Sequence, residues 1–342
     1  MALLWFEGFE NRRHGTYLSR LYDSVTGSAT FPAGSELFCA QSANLVLTKV
    51  FTSQSTWIVG VRFRLPEQYS GGASNQAVIL SNSSGEQLRF TWQPATVTPG
   101  QMIVQVKRGA TVLASSVDLW VGKWIYFEFK AVVDNAAGSY EVKADGVTIL
   151  SDAGPINTAN QGVANADRVA LSFAAGVICQ MDDAYICDGS GGAFDNFLGP
   201  KRIYAKLPSA EGTTIEWTPS TGTNNAALVD DPATAPDDTD KVTAEDVNIK
   251  DLYAWTASSP VNSNTTLHAV QITETMAMDS SGTRTVAPRV RSGGMEADGT
   301  GVAVNSLSLS SRSEVMTENP VDANPWDKTS LDAAEFGVRV VS

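Results

Sequence analysis

The sequence predicts an all-β chain, on three observations. Apolar and polar residues alternate with period two in short runs. Those runs are rich in Val, Ile, Phe, Tyr and Trp, and little of the remaining sequence carries a helical period. Gly, Asn, Asp, Ser and Pro clusters separate the runs at short, regular intervals, the spacing of an antiparallel sandwich or barrel.

The runs follow in order. Trp57–Leu65 alternates cleanly, then Leu88–Trp92, Met102–Lys107 and Trp124–Val133. Turn clusters stand between them: Ser70-Gly71-Gly72, Asn82-Ser83-Ser84-Gly85, Pro99-Gly100 and Arg108-Gly109. Ser139–Ala144 and Val147–Leu150 flank Asp145-Gly146, a pair that tolerates the positive φ angles of a type I′ hairpin turn. Alternation puts Tyr140, Val142 and Ala144 on one face, expected to be buried, and Glu141 and Lys143 on the other.

The length suggests about two domains at roughly 150 residues each. A boundary is expected at the flexible Gly189-Ser190-Gly191-Gly192 run, where charge also shifts. Residues 1–198 carry 13 basic and 17 acidic side chains, and residues 199–342 carry 11 and 20. The expected division is therefore a sandwich over 1–190, a linker over 191–200 and a second β-rich assembly domain over 201–342. Strand pieces in the last part are Thr214–Trp217, Leu267–Ile272, Val302–Val304, Leu307–Leu309 and Phe336–Val340.

Lys+Arg is 24 against Asp+Glu 37, a net charge of −13, and charged residues make up only 18% of the chain. No cationic run offers a footprint for a nucleic acid. No apolar stretch approaches the roughly 18 residues of a membrane span. The N-terminal stretch has acidic residues soon after a short apolar run, so no secretory signal is read there and export by the common route is not expected. Cys39, Cys179 and Cys187 are expected as free thiols, with a Cys179–Cys187 bridge left open. His14 and His268 are the only histidines, and no zinc pattern exists.

Several motifs carry a family resemblance. The opening Phe6-Glu7-Gly8-Phe9-Glu10 resembles the start of tailed-bacteriophage virion structural proteins built on a concanavalin A-like lectin/glucanase sandwich, related in shape to laminin G-like modules. Trp124–Lys130 with Asp134–Val147 resembles their Trp-then-Gly hairpin, and Asp182–Gly189 their final strand. Phe197–Val242 and Asn319–Val338 resemble their later segments. Glu7 and Glu10 stand where aspartates are usual, and Pro200 where an acid is common. The resemblance implies a concanavalin A-like antiparallel jelly-roll sandwich followed by a second β-rich domain. It also implies that the first and last sandwich strands pair, with Phe6 and Phe9 flanking Ala184, Tyr185 and Ile186.

Four features of the sequence could carry chemistry. Glycoside hydrolysis needs two carboxylates at a fixed separation. Glu7 and Glu10 are three apart and expected on opposite sides of a strand, as are the adjacent Asp182 and Asp183. No catalytic residue is assigned, and Gly-x-Ser-x-Gly is absent. Calcium needs clustered oxygens, for which Asp182-Asp183 and Asp230-Asp231 with Asp237-Asp238 and Asp240 were weighed. Solvated loops and Asx turns are the simpler account, and no metal or cofactor is assigned. Among the tryptophans, Trp57, Trp92, Trp120 and Trp124 lie within apolar runs and are expected in the core. Trp217, Trp255 and Trp326 lie near turn signals, and Trp255 and Trp326 are the candidate glycan-stacking residues.

The expectation is a non-enzymatic bacteriophage virion structural protein, made in the host cytoplasm and exposed on the particle. A tail fibre or baseplate appendage ranks above a capsid decoration. Its expected partners are other virion proteins, further copies of itself as a homo-oligomer and a host-surface glycan, with no nucleic acid. The alternative is a carbohydrate-binding module, and after it a polysaccharide-degrading enzyme.

Overall fold

The computed structural model describes residues 3–10, 14–33, 39–42, 44–65, 76–95, 100–116, 119–160, 162–173, 178–231, 234, 237–255, 261 and 264–342. The expected turn at Ser70-Gly71-Gly72 and residue Pro99 lie outside them. The chain divides into two compact units, Met1–Tyr204 and Ala205–Ser342.

The first unit opens with β1 (Leu3–Glu7), the short helix α1 (Gly15–Leu21), β2 (Ser24–Thr26), β3 (Ala40–Ser42), β4 (Val46–Gln54) and β5 (Thr56–Arg64). There follow β6 (Gln76–Asn82), β7 (Gly85–Pro94), β8 (Gln101–Arg108), β9 (Thr111–Ser115) and β10 (Leu119–Trp120). It closes with β11 (Ile125–Val132), β12 (Gly138–Ala144), β13 (Val147–Ile156), β14 (Ala166–Ser172) and β15 (Cys179–Asp188). A seven-stranded sheet runs β1-β15-β5-β11-β12-β13, with β3 on β15. An eight-stranded sheet runs β10-β8-β7-β6-β14-β4-β2, with β9 on β8. Every pairing is antiparallel, and the unit is the expected jelly-roll sandwich.

Alternation decides which side chains meet between the sheets. Trp57, Val59, Val61 and Phe63 of β5 and Phe127 and Phe129 of β11 point inward, against Leu88, Phe90 and Trp92 of β7. Phe63 stacks on Trp92 with ring centroids 4.4 Å apart, and Phe90 on Phe129 at 5.4 Å. Burying each such ring stabilises the fold by about 2–3 kcal/mol. The hairpin turn forms as read, with Asp145 and Gly146 at φ of 47° and 81°; Tyr140 and Val142 are buried, whereas Ala144, expected with them, is half-buried.

The first and last strands pair as expected, with Phe6 opposite Tyr185 and Glu7 opposite Ala184. Phe9 does not join that pairing. Strand β1 ends at Glu7, and Phe9, at φ 63°, turns its ring fully into the core. Segment 191–200 is hydrogen-bonded to the sandwich. Leu198 N donates to Tyr185 Oη (3.2 Å), Gly199 N to Glu128 Oε1 (2.8 Å) and Lys130 Nζ to Asn196 Oδ1 (3.2 Å).

The second unit holds β16 (Pro208–Ile215), β17 (Thr218–Pro219), β18 (Val242–Thr243), β19 (Lys250–Trp255) and β20 (Val270–Met276). It continues with β21 (Arg284–Ser292), β22 (Met295–Asp298), β23 (Val302–Val304), β24 (Ser310–Met316), the helical turn α2 (Lys328–Asp332) and β25 (Glu335–Val340). Its main sheet runs β16-β19-β25-β21-β22 with β23 on β21, while β20 and β24 form a separate ribbon. The strand expected at Leu307–Leu309 is instead a bend, and pairing starts at Ser310. A cluster of Val290, Met316, Trp326, Ala334 and Phe336 forms its core.

Candidate functional site

The outer face of the seven-stranded sheet carries a polar network. Alternation aims Arg62 of β5, Tyr126 and Glu128 of β11 and Tyr185 of β15 away from the core. A β-bulge between Asp182 and Tyr185, with Asp183 at φ 49°, turns Asp183 onto the same face. Tyr185 crosses over Gly60, where a Cβ would lie 2.0 Å from the ring, so only glycine fits. Tyr185 Oη donates to Glu128 Oε1 at 2.5 Å, and Tyr126 Oη to the Asp183 carbonyl at 3.0 Å. The Asp183 carboxylate accepts from Arg62 Nε (3.0 Å), Arg202 Nη1 (3.1 Å) and Ile203 N (2.9 Å). Burial holds both tyrosine hydroxyls well above the ordinary phenol range. The network thus ties residues 198–203 to the sheet. The Asp182-Asp183 pair weighed as a calcium site is taken up by it: Asp182 Oδ1 accepts from Asp183 N (2.9 Å) and Asp183 is held by two arginines.

Glu7 and Glu10 do not end on opposite sides of a strand. Gly8 and the left-handed Phe9 turn the chain back, so Glu10 folds over Gly8 beside Glu7, Asp182 and Asp183. Burial first, then those three carboxylates, push the Glu10 acid up to about 9. In the second acidic stretch, Asp237 accepts from Thr239 N and Oγ1 (2.9 and 2.6 Å), the bonding of an Asx turn.

The predicted stacking residues are placed inside the second unit. Trp326 is 3% exposed, donates from Nε1 to the Met316 carbonyl (3.0 Å) and lies 5.8 Å from Phe336 between ring centroids. Trp255, at the end of β19, packs edge-on to Phe336 at 5.9 Å. Trp326 belongs to that unit's buried apolar cluster, and Trp255, half-buried, packs against it. Around Trp326 the turn residues mark the chain's path, not exposure of the ring.

Trp120, expected in the core, is the outlying tryptophan at 60% exposed. It lies on β10, a two-residue edge strand, opposite Gln101 of β8. Met102, Val104 and Val106 of β8 point into the core. Gln101, Ile103, Gln105 and Lys107 therefore face outward, and Trp120 shares their face. Across the strands that face continues through Gln93, Thr91 and Arg89 of β7 and Ile79 and Ser81 of β6 to Arg168 of β14. Arg89 is fixed by Glu86 Oε1, which accepts from its Nε (3.0 Å) and Nη2 (2.9 Å). Thr91 and Gln105 at the centre of this face are buried, and its half-buried remainder carries Gln93, Gln101, Ser81, Arg89, Lys107 and Arg168, with one exposed indole at the rim. An indole offers an apolar π-surface for a flat apolar ligand face, and the amides offer directional hydrogen bonds around it.

No family model and no curated protein matches this chain. Among solved structures it is similar to alginate lyase Aly36B at 9% identity, over 44% of this chain and 79% of that one, with a TM-score of 0.33. It is similar to the conserved carbohydrate esterase of Shiga toxin-encoding bacteriophage phi24B at 14% identity, over 49% and 90%, with a TM-score of 0.36. It is similar to the Emp47p carbohydrate recognition domain at 11% identity, over 49% and 88%, with a TM-score of 0.35.

Proposed function

We propose that the protein is a non-enzymatic carbohydrate-binding protein that contacts glycans through the outer face of its eight-stranded sheet. One observation carries the reading: Trp120, 60% exposed, stands on a polar sheet face. A pyranose ring presents a C–H face that stacks on an indole, while its hydroxyls take hydrogen bonds from neighbouring amides. The non-enzymatic part is supported by the carboxylates on the opposite sheet. Glu128 and Asp183 are buried and already accept from Tyr185, Gly199, Arg62, Arg202 and Ile203.

The test is a glycan array followed by calorimetry on the best ligand. Trp120→Ala is expected to weaken binding by about tenfold or more, roughly 1.4 kcal/mol, with the circular dichroism of the fold unchanged. Wild-type protein that binds no glycan, or a Trp120→Ala variant that binds equally well, overturns the proposal.

A second reading places this protein on a tailed-phage particle as a structural component, on the tail or the capsid surface. Besides the motifs above, it is supported by exposed apolar side chains in the second unit: Met295, Val302, Leu307 and Leu309 suit contacts with other virion proteins or with further copies of the chain. Synthesis in a reducing cytoplasm fits three free, buried cysteines. Mass spectrometry of purified particles is expected to find the chain in many copies, and its absence from them removes this reading.

A further inference from the structure

We infer that the outer face of the eight-stranded sheet takes a negatively charged saccharide, with Lys107 and Arg89 receiving its acid group and Trp120 stacking a ring farther along the strand. The inference rests on the reading of that face as glycan-binding and names the class of glycan.

Arg89 and Lys107 sit directly opposite each other on β7 and β8. Like charges opposed across a strand pair destabilise a sheet. Arg89 is partly neutralised, because a single oxygen of Glu86 takes both of its hydrogen bonds. Lys107 has neither an ion pair nor a side-chain hydrogen bond among the described residues. Burial, and then the charge of Arg89, hold its ammonium below the usual lysine range, with Glu86 offsetting only part of that. The pair therefore lacks one anion. A ligand carboxylate or sulfate bridging the two side chains supplies it through charge-assisted hydrogen bonds. Arg168, farther across the same face, adds a third cation whose near acid, Asp167, lies 3.7 Å away. These cations stand together on a chain of net charge −13, so the local sign runs against the whole.

The spacing sets the ligand's size. Lys107 lies six residues along β8 from Gln101, the partner of Trp120, roughly 20 Å at the strand rise. A ligand touching both ends spans several sugar rings. Between them it passes the half-buried Ile103, which offers an apolar edge to the C–H face of an intervening ring, while the buried Gln105 makes no contact.

Calorimetry with the full chain tests this with three probes of matched length: an oligogalacturonate, a sulfated dextran oligomer and a neutral dextran oligomer. Wild-type protein is expected to bind an acidic probe at least about tenfold more tightly than the neutral one, and to lose that margin as salt rises. Lys107→Gln is expected to remove most of the margin by weakening the acidic probes several-fold more than the neutral one. Trp120→Ala is expected to weaken acidic and neutral probes alike. Equal affinity for acidic and neutral probes, or an undiminished margin in Lys107→Gln, overturns the charged-ligand inference and leaves the glycan reading standing if Trp120→Ala still weakens binding. Failure of the wild-type protein to bind any probe, with a blank glycan array, removes both.

Discussion

The two units are built from the same kind of strand and held by different means. The first closes two sheets over large aromatic rings: Trp5, Phe9, Trp57, Phe63, Phe90, Trp92, Phe127 and Phe129 are all essentially inaccessible. Among the described residues the second gathers Val290, Met316, Trp326, Ala334 and Phe336 in one cluster and buries smaller apolar side chains such as Leu252, Val286 and Val340 elsewhere, with few large rings. It compensates with polar geometry. Asp251, fully buried, accepts from Glu216 N and Trp217 N at Oδ1 and from Asn225 Nδ2 and Tyr253 Oη at Oδ2, all between 2.7 and 2.8 Å. On the same sheet a ladder of ion pairs runs from Lys250 through Glu296, Arg289 and Asp298 to Arg339. The charge shift visible along the sequence thus has a structural counterpart. Where aromatic burial is scarce, hydrogen-bonded acids take over the task of fixing strand against strand, since a buried polar network has one fully satisfied arrangement.

The strongest way to break this contrast is to remove the central group of each unit. Asp251→Ala removes the acceptor of Trp217 N and Tyr253 Oη and one of the two acceptors of Asn225 Nδ2, while Glu216 N keeps the Lys250 carbonyl; at about 1–3 kcal/mol for each lost partner, a loss on the order of 5 kcal/mol is expected. Trp92→Ala removes a ring stacked at 4.4 Å on Phe63 and is expected to cost about 3–5 kcal/mol. Amide hydrogen exchange read separately over residues 1–204 and 205–342 checks both. Should Asp251→Ala leave protection in the second unit intact, its polar network is not what holds that unit.

Much of the first unit was legible because period-two alternation reports the inward face of a strand directly. The runs Trp57–Leu65, Leu88–Trp92, Met102–Lys107 and Trp124–Val133 all gave strands, with Trp57 and Trp92 inside as expected, whereas Trp124, also expected in the core, stands half-buried just before β11. The pairing of β1 with β15 followed from the motifs at the two ends of the sandwich. The candidate site was not legible, for a definite reason. Alternation says that Leu119 and Trp120 point to opposite faces, but not that β10 is the rim of its sheet. The same local pattern therefore suits a core ring and an exposed one. Trp326 failed in the opposite direction, because a turn-rich neighbourhood does not reveal that the turn folds back over an apolar cluster. The gathering of Glu10 with Glu7 and Asp182 depended on the left-handed backbone of Phe9, which a phenylalanine does not advertise. The short apolar run Leu119-Trp120-Val121, bounded by Asp118 and Gly122, is the one signal that could have suggested a short edge strand.

A smaller effect sharpens the contrast through pH. In the first unit, Glu10 has an acid pushed up from 4.5 to about 9, chiefly by burial. The folded state then binds a proton that the unfolded state releases above pH 4.5. Stability therefore falls as pH rises from about 4.5 toward 9. Glu10→Gln keeps the shape without the ionisable group. It is expected to match wild type near pH 5 and to become progressively more stable than wild type toward pH 9. Urea midpoints across that range check it, and parallel curves for the two proteins would remove the claim.

The smallest expected effect has the opposite sign and belongs to the second unit. Burial raises the Glu296 acid, but hydrogen bonds from Lys250 and Arg289 and their charges outweigh it and hold the group below its usual range. A depressed carboxylate contributes stability that is present above the unfolded value of 4.5 and is lost as pH falls through the folded value. Glu296→Gln removes that contribution, and the ladder's partial exposure limits it to about 1 kcal/mol. The variant is therefore expected to be less stable than wild type at pH 7, by a gap that closes on acidification and shrinks in high salt. Exchange protection of β21 and β22 at pH 7 and pH 4 measures the gap. A gap that widens toward acid means that Glu296 is not held ionised by Lys250 and Arg289, and the ladder then loses its role as the second unit's substitute for an aromatic core. A gap that closes there, while Glu10→Gln diverges from wild type toward alkali, shows the two units answering pH in opposite directions, as a buried unpaired acid and a paired one must.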